Sequence, residues 1–137
     1  MKGEFWINLP SKDIEKSRKF YTELGFEMNT AHAAPHMVGM FLGSKKVVLN
    51  IFPDVMFKEF IGGSAVTESH ESGEVLFSLG ADSVEEVDDW ARRAEKAGAK
   101  SFGDPGDKDG WMYGCGFADP DGHRWNILFM NMSMMPK

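Results

Sequence analysis

The chain has 137 residues, 42% hydrophobic and 26% charged, the size and composition of one ordinary globular domain with a sizeable core. A net charge of -6 with no basic stripe excludes a nucleic-acid footprint, and no apolar run approaches the roughly 20 residues that span a bilayer. The single cysteine, Cys115, excludes an internal disulfide and fits a reducing compartment; with no signal peptide expected, the protein is placed in the cytoplasm.

Phe5–Leu9 predicts a short strand, with Phe5, Ile7 and Leu9 on one face and Trp6 and Asn8 on the other. Pro10 and Ser11 end it. Asp13 and Glu15 put acidic charge in the first turn of a helix whose stripe is Ile14, Tyr21 and Leu24, flanked by Phe20 and closed by Gly25. Phe26–Thr30, Met37–Leu42 and Lys46–Phe52 read as strands, with Ala31–Pro35 and Gly43–Lys45 as their connections. The first half is therefore β-α-β-β-β. Pro53 breaks the pattern, Asp54–Phe60 suits one or two helical turns, and Ile61–Gly73, rich in Gly, Ser and Thr, is a mobile connection.

Glu74–Leu79 opens the second half as a strand. Ser83-Val84-Glu85-Glu86 has the form of a capping box ahead of a stripe of Val84, Val87, Ala91 and Ala94, with Trp90 beside it and Gly98 closing. Ala99–Phe102 is a short strand and Gly103–Gly110 a loop. Met112–Phe117 and Trp125–Met130 form a hairpin around the turn Asp119-Pro120-Asp121-Gly122, where proline presets one φ and glycine tolerates a positive one. The order is again β-α-β-β-β. In the repeat, Leu9 matches Leu79, Met37-Val38-Gly39 matches Met112-Tyr113-Gly114, and Asn50-Ile51 matches Asn126-Ile127. The fold class expected is α+β: two βαβββ modules, about 4–53 and 74–131, joined by 54–73 into a single domain over 1–137. A pseudo-twofold pairing would leave one concave cleft between them.

Two stretches carry a family resemblance. They are Asn8–Ser17 leading to Phe20-Tyr21 and Leu24-Gly25-Phe26, and the terminal Phe117-Ala118-Asp119-Pro120-Asp121-Gly122-His123. The chain resembles the vicinal oxygen chelate superfamily of glyoxalase I, extradiol dioxygenases, fosfomycin resistance enzymes and bleomycin-binding proteins. Met112-Tyr113-Gly114 and His123-Arg124-Trp125 bring it closest to a bacterial subgroup known as predicted lactoylglutathione lyases. Metalloenzymes of that superfamily hold a divalent ion with His and Glu from the first and last strand of each half. Carried over, those positions are Trp6, Asn50, Glu74 and Asn126. Tryptophan cannot coordinate, amides are weak neutral donors, and only Glu74 is an ordinary ligand. No metal site is therefore expected.

The resemblance implies a small-molecule ligand in the cleft, among Trp6, Asn50, Glu74, Tyr113 and Asn126, with no cofactor. The alternative is a metal-dependent lyase, isomerase or group transferase of the glyoxalase I type, which would need a divalent metal. Between them stands metal-free acid–base catalysis by Glu74, whose other role is a solvated strand-end carboxylate. Asn50 and Asn126 either bond the ligand or satisfy backbone groups at a seam. Trp6 either stacks on the ligand or fills the core, the commoner fate of tryptophan. His123 is expected to point outward, His32 and His36 to flank the pocket mouth or remain on a loop, and His70 to lie on a solvated loop. Cys115 is structural. Trp111, Met112 and Tyr113, with Met56, Phe57 and Phe60, form either a pocket rim and lid or the interface of an expected homodimer.

Overall fold

The computed structural model describes residues 3–31 and 34–136; His32 lies outside them. Two compact units are present, the first running to Glu68 and the second beginning at Ser69. The first contains β1 (Trp6–Ser11), α1 (Ile14–Leu24), β2 (Glu27–Met28), β3 (Val38–Leu42), β4 (Val47–Pro53) and α2 (Asp54–Phe60). The second contains β5 (Leu76–Ala81), α3 (Val84–Lys96), β6 (Lys100–Lys108), β7 (Met112–Ala118) and β8 (Arg124–Met130). Each forms a four-stranded mixed sheet, β1-β4-β3-β2 and β5-β8-β7-β6. In each, the strand before the helix runs parallel to the last strand, and the others pair antiparallel. The architecture is α+β, with one βαβββ module per unit.

Helix α1 starts where the Asp13 carboxylate accepts from Lys16 N–H at 3.1 Å, and ends where Gly25 takes a left-handed φ of 95°. Its buried face is Ser17, Phe20, Tyr21 and Leu24, a stripe at helical spacing. Ser17 is the polar member of that stripe, and its hydroxyl bonds that of Ser11 at 2.8 Å, both buried. The helix packs on β3 and β4, whose Val38, Met40, Leu49 and Ile51 are fully buried; the half-buried Ile7 and Leu9 of β1 stand opposite Leu49 and Ile51 in the same rows. Strand β1 runs through Pro10 because it is an edge strand, where a missing N–H is tolerated.

In α3 the Ser83 hydroxyl accepts from Glu86 N–H at 3.1 Å, as a capping box requires. The return bond differs: the Glu86 carboxylate accepts from Asp82 N–H at 2.5 Å instead of from Ser83. Ser83→Ala should cost about 1 kcal/mol. Chemical denaturation checks this, and an unchanged midpoint would show that Glu86 alone holds the start.

Several element boundaries differ from the sequence expectation: β1 runs on through Ser11 and β4 through Pro53, each taking in the proline expected to end it. β2 is two residues long, because Phe26 turns into the core, 8% exposed, directly after Gly25. β5 begins at Leu76, leaving Glu74 ahead of it. β6 occupies most of 103–110, which composition marks as loop. It is an edge strand whose register shifts between Ser101 and Gly103 and again between Gly103 and Gly106 absorb Pro105 and the glycines. The helical turns expected at Asp54–Phe60 form α2, with Phe60 edge-on to Phe52 at 5.0 Å.

Candidate functional site

Strand pairing decides which side chains share a face, because residues directly opposite in a ladder point the same way. In the first unit, Trp6, Val48 and Phe41 form one row across β1, β4 and β3, on the side away from α1. The adjacent row is Asn8, Asn50 and Gly39. Asn50 Nδ2 donates to Asn8 Oδ1 at 3.5 Å. Gly39 leaves a notch in that row: a Cβ there would lie 3.2 Å from Asn50 Oδ1 and 3.4 Å from Asn29 Cβ. Three carboxamides thus run beside a strip of indole, valine and phenyl. Trp6 is 54% exposed, so it is not core filler. Trp6, Val48 and Phe41, with Asn50 and Asn29, line an open groove of about 930 Å³ that also receives Lys45 and Lys46. Lys46 pairs with Glu27 at 2.9 Å and lies 5.7 Å from the Phe41 ring centroid.

The second unit repeats the pattern with other residues. Ser78, Asn126 and Gly116 form one row across β5, β8 and β7, as Asn8, Asn50 and Gly39 do across β1, β4 and β3. The Ser78 hydroxyl donates to Asn126 Oδ1. Phe102 lies over Gly116, where an added Cβ would run into its ring. The true match for Gly39 is therefore Gly116, two residues beyond the Gly114 that sequence similarity suggests.

Tyr113 does not join this face. It pairs with Phe129 and alternates with Gly114, on the same side as the buried Cys115 and Phe117. Its hydroxyl donates to the Asp88 carboxylate of α3 at 2.7 Å, which holds the phenol protonated to higher pH than usual. The expected grouping of Tyr113 with Asn126 fails because the two stand on opposite faces of one sheet. Glu74 is exposed and precedes β5. Trp6 begins β1 seven positions before the cap Asp13, and Leu76 begins β5 seven before the cap Ser83. Leu76, not Glu74, is the counterpart of Trp6.

His123 is 8% exposed instead of pointing to solvent. The turn explains this: the Asp119 carboxylate accepts from the backbone N–H of Asp121 at 2.9 Å and of His123 at 2.8 Å, while Asp119 N–H donates to His123 O. Among the described residues, Asp119, Asp121 and His123 are the one acidic and histidine trio close enough to share an ion, within 4.8 Å. Asp119 is already committed to closing the turn. His70, expected on a solvated loop, bonds Pro120 O through Nε2 at 2.9 Å, and its carbonyl accepts from Arg124 at 3.3 Å. Cys115 is buried, and burial pushes its thiol pKa up, so it is no nucleophile at neutral pH. Trp111 is half-buried, and its carbonyl accepts from Asn131 N–H at 2.7 Å.

The model of the Glyoxalase/Bleomycin resistance protein/Dioxygenase superfamily matches residues 5–127. The chain belongs to this superfamily. The structure resembles that of hypothetical protein SA1046 from S. aureus, 35% identical over 94% of both chains with a TM-score of 0.80. It also resembles a glyoxalase-related enzyme from Fulvimarina pelagi, 24% identical over 92% of this chain and 87% of that one, with a TM-score of 0.78. The fosfomycin resistance protein FosX from Listeria monocytogenes, solved with Mn(II) and sulfate, is 15% identical over 98% and 94% of the two chains with a TM-score of 0.67, a likeness of fold alone. No curated protein sequence matches the chain. No helix among the described residues is long and apolar enough to cross a membrane.

The resemblance assigns the superfamily's ligand positions to Trp6, Asn50, Glu74 and Asn126, and strand register puts Leu76 in place of Glu74. None of Trp6, Asn50, Leu76 and Asn126 is a histidine or a carboxylate, and Asn126 Oδ1 is already taken by Ser78. This donor set does not fit a divalent ion. Asn8, Asn29 and Ser78 were missed from sequence. The alternation of Trp6 with Asn8 marked the first; the other two depend on pairing partners far along the chain.

Proposed function

We propose that this superfamily member binds a planar, partly polar small molecule without the family metal. What carries this proposal is the carboxamides of Asn50 and Asn29, with Asn8 next to Asn50, beside the exposed Trp6 and the half-buried Val48 and Phe41. Carboxamides offer both donors and acceptors, and the indole offers a stacking plane. Such a strip suits the lactam or amide edge of a ring system better than a charged chelate. A homodimer belongs to the same proposal, since Val75 and Leu76 are more than half exposed and gain from an apolar cover.

The test is calorimetric titration of bicyclic lactams such as isoquinolinone, alongside Ni²⁺, Zn²⁺, Mn²⁺ and Fe²⁺. Trp6→Ala should weaken lactam binding by about tenfold, some 1.4 kcal/mol of lost stacking. Unchanged affinity would remove Trp6 from the site. Tight one-to-one binding of any of the metals would favour the alternative, a metal-dependent lyase, isomerase or transferase. A turnover lost in Glu74→Gln at constant affinity would restore catalysis by that carboxylate.

A further inference from the structure

The second unit contains a cavity of about 500 Å³ between α3 and strands β6 and β7. It lies on the helix side of the sheet, the face opposite Ser78 and Asn126. Its origin is legible in the repeat. In the first unit, Phe20, Tyr21 and Phe26 fill the space beneath α1 as edge-on rings, with centroids 5.0 and 5.3 Å apart. Phe26 N–H donates to Tyr21 O, and Ala99 N–H donates to Ala94 O in the same helix-ending turn. That shared bond places Ala94 and Ala99 where the first unit has Tyr21 and Phe26. Ala91, almost one turn earlier, lines the same space. Two of the three rings, those of Tyr21 and Phe26, thus have methyl groups as their counterparts in the second unit. Small-molecule sites span roughly 300–1,000 Å³, a range that includes this one.

The chemistry of the walls is uneven. The floor is apolar, with Ala94, Phe117 and the protonated thiol of Cys115, which lies 3.9 Å from Val87 O. The rim is acidic: Asp88 and Glu95 from α3 and Asp104 from β6, against the single cation Arg92. Arg92 is held by Asp89 at 3.1 Å, outside the lining. Asp88 is fixed by the Tyr113 hydroxyl at 2.7 Å and so offers its charge from a set position. We propose that this cavity binds a small molecule with an apolar body and a protonated amine, the body against Ala94, Cys115 and Phe117 and the ammonium toward Asp88, Glu95 and Asp104. It is a second site, independent of the amide strip on the first unit.

The probe is naphthylmethylamine, with naphthalenemethanol as its neutral and naphthylacetate as its anionic counterpart, titrated into nitrogen-labelled protein and followed by amide shifts. The amine should saturate, with the largest shifts in α3 and β6; the alcohol should bind several-fold more weakly and the carboxylate more weakly still. Ala94→Leu fills the cavity and should weaken the amine by at least about tenfold. Should that variant fail to fold, Asp88→Asn with Asp104→Asn should abolish the preference for amine over alcohol, which a void without polar recognition would not show. No saturation by the amine, equal affinity for amine and alcohol, or shifts confined to β1 and β4 would each overturn the proposal.

Discussion

Gly122→Ala will lower the melting temperature by on the order of 10 °C, the loss expected from at least about 2 kcal/mol in a chain of this size. Two effects add. Gly122 has a φ of 91°, where an L side chain costs about 1–2 kcal/mol. Its added Cβ would also lie 2.6 Å from His70 N, 2.7 Å from Ser69 C and 2.9 Å from His70 Cα. These are backbone atoms and cannot rotate away, so overpacking adds about 1–3 kcal/mol. Relief requires the 69–70 segment to lift off the turn, breaking the His70–Pro120 and Arg124–His70 bonds. Gly110 is the control, with a φ of 79° and nothing within 4 Å of its built Cβ. Gly110→Ala pays the conformational cost alone. Equal losses in the two variants, by calorimetry, would show that the segment gives way freely.

Trp125→Ala will cost about 3–5 kcal/mol, a large share of the roughly 5–15 kcal/mol that holds a domain folded. Trp125 is fully buried in β8, which pairs with β5 on one side and β7 on the other, and its ring meets that of Phe77 with centroids 4.9 Å apart. Removing the indole leaves a cavity that flanking strands cannot fill without breaking their ladders. Trp6→Ala removes the same side chain from an exposed face and should change stability by no more than about 0.5 kcal/mol. Urea unfolding of both variants separates the two tryptophans. Similar midpoints would mean that Trp6 is buried in solution and that the amide strip is not open to ligand.

The order of elements was legible because its signals are local. Ser83 and Gly25 mark helix ends through their own backbone geometry, and Asp119-Pro120-Asp121-Gly122 is a turn whatever surrounds it. The resemblance to the superfamily rests on those same short stretches and extends over nearly the whole chain. Strand limits were less legible where composition and pairing disagree. Gly103, Pro105 and Gly106 look like loop, yet β6 forms because β7 offers it a ladder and register shifts take up the misfits. Faces were least legible. Side chains alternate with a period of two, so an offset of two in the repeat kept polarity right while assigning Gly114 the place of Gly116 and Glu74 that of Leu76. The resemblance puts Tyr113 and Asn126 in one cleft, and only their partners Phe129 and Gly116 show that they point apart. Ala91, Ala94 and Ala99 read as an ordinary helical stripe and a strand start; that they leave a cavity depends on the breadth of Tyr21 and Phe26 in the other module. The modules, their caps and the hairpin turn can be read from residues alone, because they depend on neighbours a few positions away. Which residues share a face, and where space is left, emerges only with strand pairing, because both depend on partners far along the chain.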